Sequence, residues 1–246
     1  MFEQSLMQTD PVDALGEPPK TLVEGAYRQL RRDIIEGRLP PGSRLRVEHL
    51  KDDYGVGAGT LREALALLVS DTLVITQGQR GFHVAAISLL DFEDLTNTRV
   101  LLETEALRQS IVNGDDEWEG KLLAAFHRLS KAEEKLASDS EAAANEWEER
   151  NRVFHETLIS ACASNWIHHF LGILYRQSER YRRLSLSHST LPRDIHAEHT
   201  AIFDAALARK SDVACGLLAD HIRATLSTIR QLPAECFNNP GKAARG

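Results

Sequence analysis

The stretch GVGAGTLREALALLVS, Gly55 to Ser70, decides the fold. Leu61, Leu65 and Leu68 recur at the i, i+4, i+7 spacing that lines one face of an α-helix with apolar side chains. The spacing predicts a tight turn and then an amphipathic helix, begun by Thr60 and Arg62 on a face that stays in water. Gly55, Gly57 and Gly59 give the turn a freedom of φ that other residues lack. Taken alone, the pattern also fits an αα-hairpin that merely packs, so the flanking segments matter.

Upstream, LVEGAYRQLRRDIIEG places Leu22, Ala26, Leu30 and Ile34 along one helical face, and Gly37 is a stop signal. LPPGSRL is a turn, since two prolines and a glycine do not continue a helix. Val47 to Tyr54 reads as a short helix closed by Gly55. Downstream, Leu73–Thr76 and Phe82–Val84 read as strands joined by the glycine-bearing turn Gln77–Gly81. Helices followed by a strand–turn–strand is the order of a winged helix-turn-helix, whose second helix enters the DNA major groove.

Beyond Ala86 the strand signals stop. Helices are expected at 90–112, 116–138, 141–162, 166–188, 193–209 and 211–230, with turn or cap residues at the breaks, such as Asn113–Asp116 and Ser164-Asn165. Six helices with short connections predict an antiparallel bundle. The fold class is therefore mainly α, with an N-terminal winged helix-turn-helix and a C-terminal antiparallel six-helix bundle. The expected organisation is a disordered arm at 1–19, a DNA-binding domain at 20–86, a helical domain at 90–231 and a flexible tail at 232–246.

Composition excludes several classes. The chain has 246 residues, 42% hydrophobic and 26% charged, which is ordinary for a globular protein. Its three cysteines lack paired or metal-type spacing, so no disulfide framework is indicated. No apolar run approaches a membrane span and the N-terminus lacks the pattern of a signal peptide, so a cytoplasmic protein is expected. The net charge of −7 is uneven: residues 1–19 carry −4, residues 20–90 carry +2 and residues 91–246 carry −5. The net-positive segment is the one holding the candidate reading helix.

Residues 20–85 resemble the GntR family of bacterial regulators in the LPPGSRL turn, the TLREAL start of the helix and the wing around Gln79-Arg80-Gly81. The helical remainder resembles the FCD ligand-binding domain of that family's FadR branch, in Phe154-His155, Glu198-His199 and His221. The resemblance implies that Arg44, Arg46, Thr60, Arg62, Gln79 and Arg80 face double-stranded operator DNA. Guanidinium groups suit phosphates and guanine edges, and a hydroxyl near a helix start suits a phosphate. For any one arginine the alternative is a solvated surface charge. Gly57-Ala58-Gly59 departs from the family's usual polar residues before this helix, which shifts weight toward DNA shape and backbone-amide contacts.

A second constellation lies in the bundle. Asn151 and His155 are four apart and share a helical face, while His199 and His221 sit on two later helices. Three imidazoles and one oxygen make a candidate site for a divalent metal such as zinc, nickel or manganese. The alternative for each histidine is a hydrogen-bonded core residue. The FCD resemblance implies that His155, His199 and His221 are metal ligands, with Asn151 where an aspartate is frequent; an amide oxygen is the weaker ligand. His196, three before His199, is either a supporting partner or exposed.

The same resemblance implies that Arg99 holds a small carboxylate effector, with Glu103 on the same face and Arg180 on a later helix as further effector-binding residues. A guanidinium suits bidentate carboxylate binding, and the alternative is an intrahelical Arg99–Glu103 pair. VGAGTLREAL, GDDEWE and HRLSKAE also resemble a subgroup responding to glutarate or related dicarboxylates. The expectation is a homodimeric repressor of a carboxylate catabolic operon, released from its operator by such an acid, with no enzymatic activity. The rival readings are a metal-dependent hydrolase using His155, His199 and His221, and a module whose winged fold binds protein.

Overall fold

The apolar stripe at Leu61, Leu65 and Leu68 becomes the centre of the first of two packed units. The computed structural model describes residues 18–78, 81–136, 140–188, 193–233 and 237. Its elements run α1 (Leu22–Ile35), β1 (Arg44–Leu45), α2 (Val47–Asp53), α3 (Ala58–Ser70), β2 (Val74–Thr76), β3 (Phe82–Val84), α4 (Leu89–Asn113), α5 (Asp116–Leu136), α6 (Glu141–Leu158), α7 (Asn165–His188), α8 (Ile195–Leu207) and α9 (Ser211–Ile229). One unit is built on the chain up to Phe92 together with Arg176–Ser187, the other on Glu93–Tyr175 and His188–Gln231.

In the first unit, α1 starts where Thr21 Oγ1 accepts the Glu24 amide at 3.1 Å and the Glu24 carboxylate accepts the Lys20 amide at 2.8 Å. Leu30, Leu61, Leu65, Leu68, Leu73 and Val84 are fully enclosed. Each large side chain so buried stabilises the unit by roughly 1.5–3 kcal/mol. The sheet is antiparallel in the order β1-β3-β2, with Arg44 opposite His83 and Val74 opposite Val84.

Three local expectations are corrected. Helix α3 begins at Ala58, ahead of Thr60, because the Leu61 amide already bonds the Gly57 carbonyl at 3.0 Å. Of the three glycines, only Gly55 uses left-handed backbone, with φ 63°; Gly57 has φ −67° and Gly59 lies inside the helix. Arg44–Leu45 is a strand where a turn was expected, since two residues are too few to show alternation. The wing turn closes through the Gln77 amide on the Gly81 carbonyl at 3.0 Å. Gln79 and Arg80 lie outside the described residues.

Residues 176–181 of α7 complete this unit. Arg176 Nη2 lies 3.2 Å from Asp71 Oδ1, Gln177 Nε2 donates to the Asp71 carbonyl at 2.5 Å, and the Tyr27 hydroxyl donates to the same carboxylate. Asp71 is the C-cap of α3, so the far end of that helix is held by α1 and by residues of α7. Arg31 Nη2 meets Glu179 Oε2 at 2.8 Å, and Tyr181 stacks on Phe92 with centroids 4.1 Å apart.

The second unit is helical. Its interior includes Leu107, Leu122, Leu129, Phe154, Leu158, Ile202, Leu218 and Ile229, with Phe126 stacked on Phe203 at 4.1 Å. Trp118 closes one end: its Nε1 donates to the Thr157 carbonyl at 3.0 Å, and Arg209 lies 5.0 Å over its ring. Gly114 is required there, because a Cβ would meet the Trp118 ring at 2.5 Å. The same indole shortens α6, expected to reach residue 162. The Thr157 carbonyl takes Trp118 Nε1 and, at 2.9 Å, the Ser160 hydroxyl, and the helix ends at Leu158. Among the described residues no helix is long and apolar enough to cross a membrane.

Candidate functional site

On the first unit, the basic side chains expected to meet a polyanion stand on three adjacent elements. Arg44 is exposed on β1 and Arg46 is exposed at the N-cap of α2. On α3, Arg62 is exposed, its Nη2 3.7 Å from Glu48 Oε1, and Thr60 is half-buried. Helix α3 has no side-chain cap at Gly57, and beyond the local chain no described residue lies within 4 Å of a Cβ built on Gly57 or Gly59. The helix tip is therefore bare backbone, open to close approach.

In the second unit, His155 on α6, His199 on α8 and His221 on α9 converge, each offering a ring nitrogen within 4.8 Å of the others. Ring centroids lie 4.6 Å apart for His199–His221, 5.1 Å for His155–His221 and 5.6 Å for His155–His199. His155 and His199 are buried, and Asn151 is buried one turn before His155 on the same helix. His199 Nδ1 is taken by Glu133 Oε1 at 2.6 Å, while its Nε2 is enclosed and makes no hydrogen bond among the described residues. A buried imidazole nitrogen with no partner is costly unless something completes it. Nitrogen donors of this kind in a converging set suit a divalent transition metal.

Beside the histidines lies a charged pair. Arg99 Nε donates to Glu103 Oε1 at 2.6 Å, and the Tyr175 hydroxyl donates to Glu103 Oε2 at 2.9 Å. The guanidinium of Arg99 sits 4.8 Å over the Tyr175 ring, and His155 Nδ1 is 3.8 Å from Glu103 Oε2. Burial, and then the Glu103 charge, push the Tyr175 phenol well above its ordinary value, so it stays a neutral donor.

Arg180 belongs to the first unit, where its Nη2 donates to the Ala85 carbonyl at 2.6 Å. Five residues after Tyr175 it points about 140° round the helix from that residue. Arg176 and Arg183 likewise engage Asp71 and Glu179. Sequence reasoning missed Glu133 and Arg193. Glu133 holds both His199 and His196, the latter through Oε2 at 2.7 Å, and His196 is exposed. Burial pushes the Glu133 carboxyl up, but hydrogen bonds and charge from His199 and His196 outweigh it and leave it below its ordinary value. Arg193 grips Glu198 through Nε at 2.8 Å and Nη2 at 2.6 Å, and Glu198 Oε2 lies 2.8 Å from His221 Nδ1. Glu198 was visible as the neighbour of His199 in the Glu198-His199 motif; Glu133, 66 positions before His199, carried no local signal.

Residues 22–84 match the family described as bacterial regulatory proteins, gntR family, and residues 94–224 match the FCD domain. The chain is 52% identical to the HTH-type transcriptional regulator BphR of Paraburkholderia xenovorans over 86% of each chain. It is 34% identical to the HTH-type transcriptional repressor GlaR of Escherichia coli, over 85% of this chain and 96% of that one. Two solved structures share the fold at a TM-score of 0.68: a GntR transcriptional regulator from Rhodococcus, 22% identical, covering 86% of this chain and 98% of that one, and McbR/YncC from E. coli, 19% identical with the same coverage.

Proposed function

Because this chain belongs to the GntR family of bacterial regulatory proteins and carries an FCD domain, it is a DNA-binding transcription regulator, and we propose that it is a dimeric repressor released from its operator by a small dicarboxylate such as glutarate. Regulators of this family bind operator DNA and typically dimerise. In this reading residues 20–86 form the DNA-binding domain and residues 90–231 the effector domain. Arg44, Arg46, Thr60 and Arg62 contact DNA, joined by Gln79 and Arg80 of the wing. Two such heads related by a dyad suit a palindromic operator.

FCD domains often bind metal ions, and Asn151, His155, His199 and His221 would hold a zinc, nickel or manganese ion here. The observation that carries the reading is the convergence of three histidines beside the buried Arg99–Glu103–Tyr175 group. A bound cation supplies a Lewis-acidic anchor for an effector carboxylate, and Arg99 supplies the guanidinium for its charge. The effector acts by favouring one arrangement of the helices over another, which requires different affinities for the two. The hydrolase reading finds no support, since the family, the relatives and the structural neighbours are regulators.

The test is fluorescence anisotropy of the protein on DNA from upstream of its own and neighbouring genes, with and without glutarate, other dicarboxylates and a chelator. Site-specific binding released by one dicarboxylate is the expected result. Binding that no acid alters would discard the effector and keep the regulator.

A further inference from the structure

Two carboxylates stand within hydrogen-bond distance of histidines of the centre. Glu133 on α5 presents Oε1 to His199 Nδ1 at 2.6 Å and Oε2 to His196 Nδ1 at 2.7 Å. Glu198 Oε2 lies 2.8 Å from His221 Nδ1, and both Glu198 oxygens are gripped by Arg193. A neutral imidazole has one N–H and one lone pair. When a carboxylate accepts the proton at Nδ1, the lone pair is left at Nε2, and Nε2 of His199 is buried with no hydrogen-bond partner among the described residues. We infer that Glu133 and Glu198 are positioning residues of the centre, each fixing its histidine in the Nδ1–H tautomer and turning the Nε2 lone pair toward a divalent cation. The inference rests on the metal-site reading above.

Charge bookkeeping points the same way. Asn151 and three neutral imidazoles bring no negative charge to a dication, so the compensating charge has to stand one hydrogen bond further out. Arg193 offsets much of the charge of Glu198. Among the described residues both hydrogen-bond partners of Glu133 are histidines, and its side chain is only 9% exposed. Glu133 therefore carries the larger share. His196, outside the converging set, holds the second oxygen of Glu133 and thereby its orientation.

The experiment is a zinc titration of the full chain in competition with a chromophoric chelator, for wild type, Glu133→Gln, Glu198→Gln and His196→Ala. Glu133→Gln is expected to weaken zinc binding by about 10–100-fold, Glu198→Gln by a smaller factor, and His196→Ala by less than about threefold. At saturating cobalt, Glu133→Gln is expected to shift the visible absorption band, which a loss of packing alone would leave in place. Zinc affinity and cobalt band both unchanged in the two glutamine variants would overturn the inference. Absence of zinc binding by the wild type would overturn the metal-site reading itself. The two glutamates sit on different helices, so a folding failure in one variant, seen by circular dichroism, leaves the other to decide.

Discussion

Glu103 Oε1 lies 2.6 Å from Arg99 Nε, one turn along α4, and neither side chain has appreciable exposure. The guanidinium proposed to receive an effector is thus already neutralised from within the protein. An incoming carboxylate has to share Arg99 with Glu103 or displace it, and Tyr175 on the other Glu103 oxygen stabilises the displaced charge.

Arg99→Ala is expected to abolish release of the operator by dicarboxylate while leaving operator affinity intact, as read by anisotropy. It also strands a buried carboxylate, which costs about 3–5 kcal/mol in urea unfolding. The double variant Arg99→Ala/Glu103→Gln is expected to recover most of that stability without recovering the response. Full ligand sensitivity in Arg99→Ala would remove Arg99 from the effector site.

Zinc at 100 times its dissociation constant is expected to stabilise the wild-type chain by about 2.7 kcal/mol, and a chelator reverses the gain. His155→Ala is expected to erase it, because His155 is one of the three histidines that converge in the centre among the described residues. Asn151→Asp is expected to tighten zinc binding, since a carboxylate replaces an uncharged amide at a buried position. Calorimetric melting with and without zinc measures both effects.

On DNA, Arg44→Ala and Arg46→Ala are expected to weaken binding to every sequence alike and to lower the salt slope by about 1 each, as loss of a phosphate contact does. Arg62→Ala is expected to cost about 1–3 kcal/mol and to relax the preferred sequence if its guanidinium reads a base. Equal salt slopes in all three variants and the wild type would place the DNA elsewhere on the unit.

Glu179 ties pH to the first unit. Burial pushes its carboxyl up, but Arg31, Arg183 and Arg182 outweigh this and hold it below the ordinary value. Its stabilising contribution is therefore complete above the ordinary carboxylate pKa of about 4.3 and is lost as pH falls through the depressed folded value. Thermal melting from pH 7 downward is expected to show a fall in stability beginning near pH ~4. In Glu179→Gln that acid-side fall is expected to be shallower, from a lower starting stability.

The helices and the histidines were legible because periodicity is local. Leu61, Leu65 and Leu68 bury as their spacing requires, and His155, His199 and His221 converge as the FCD resemblance implied. What escaped were matters of phase and distance. Arg180 shares a helix with Tyr175, yet its angular offset sends it to the Ala85 carbonyl. Glu133 and Arg193 act through partners on other helices or turns, and no short pattern encodes such a hydrogen bond. The early end of α6 depends on an indole from α5 reaching the Thr157 carbonyl, a competition invisible in the sequence of α6 itself.

Asp71 and Ala85, close to the reading helix and the wing, accept hydrogen bonds from Gln177 and Arg180. The packing of the first unit is therefore discontinuous in sequence: Gln177 and Arg180 of α7 join residues that precede Phe92. On the ribosome, segments fold in the order they emerge, so the first unit lacks these clasps until most of the FCD domain has been synthesised. A polypeptide broken off before α7 carries the reading helix but not its brace.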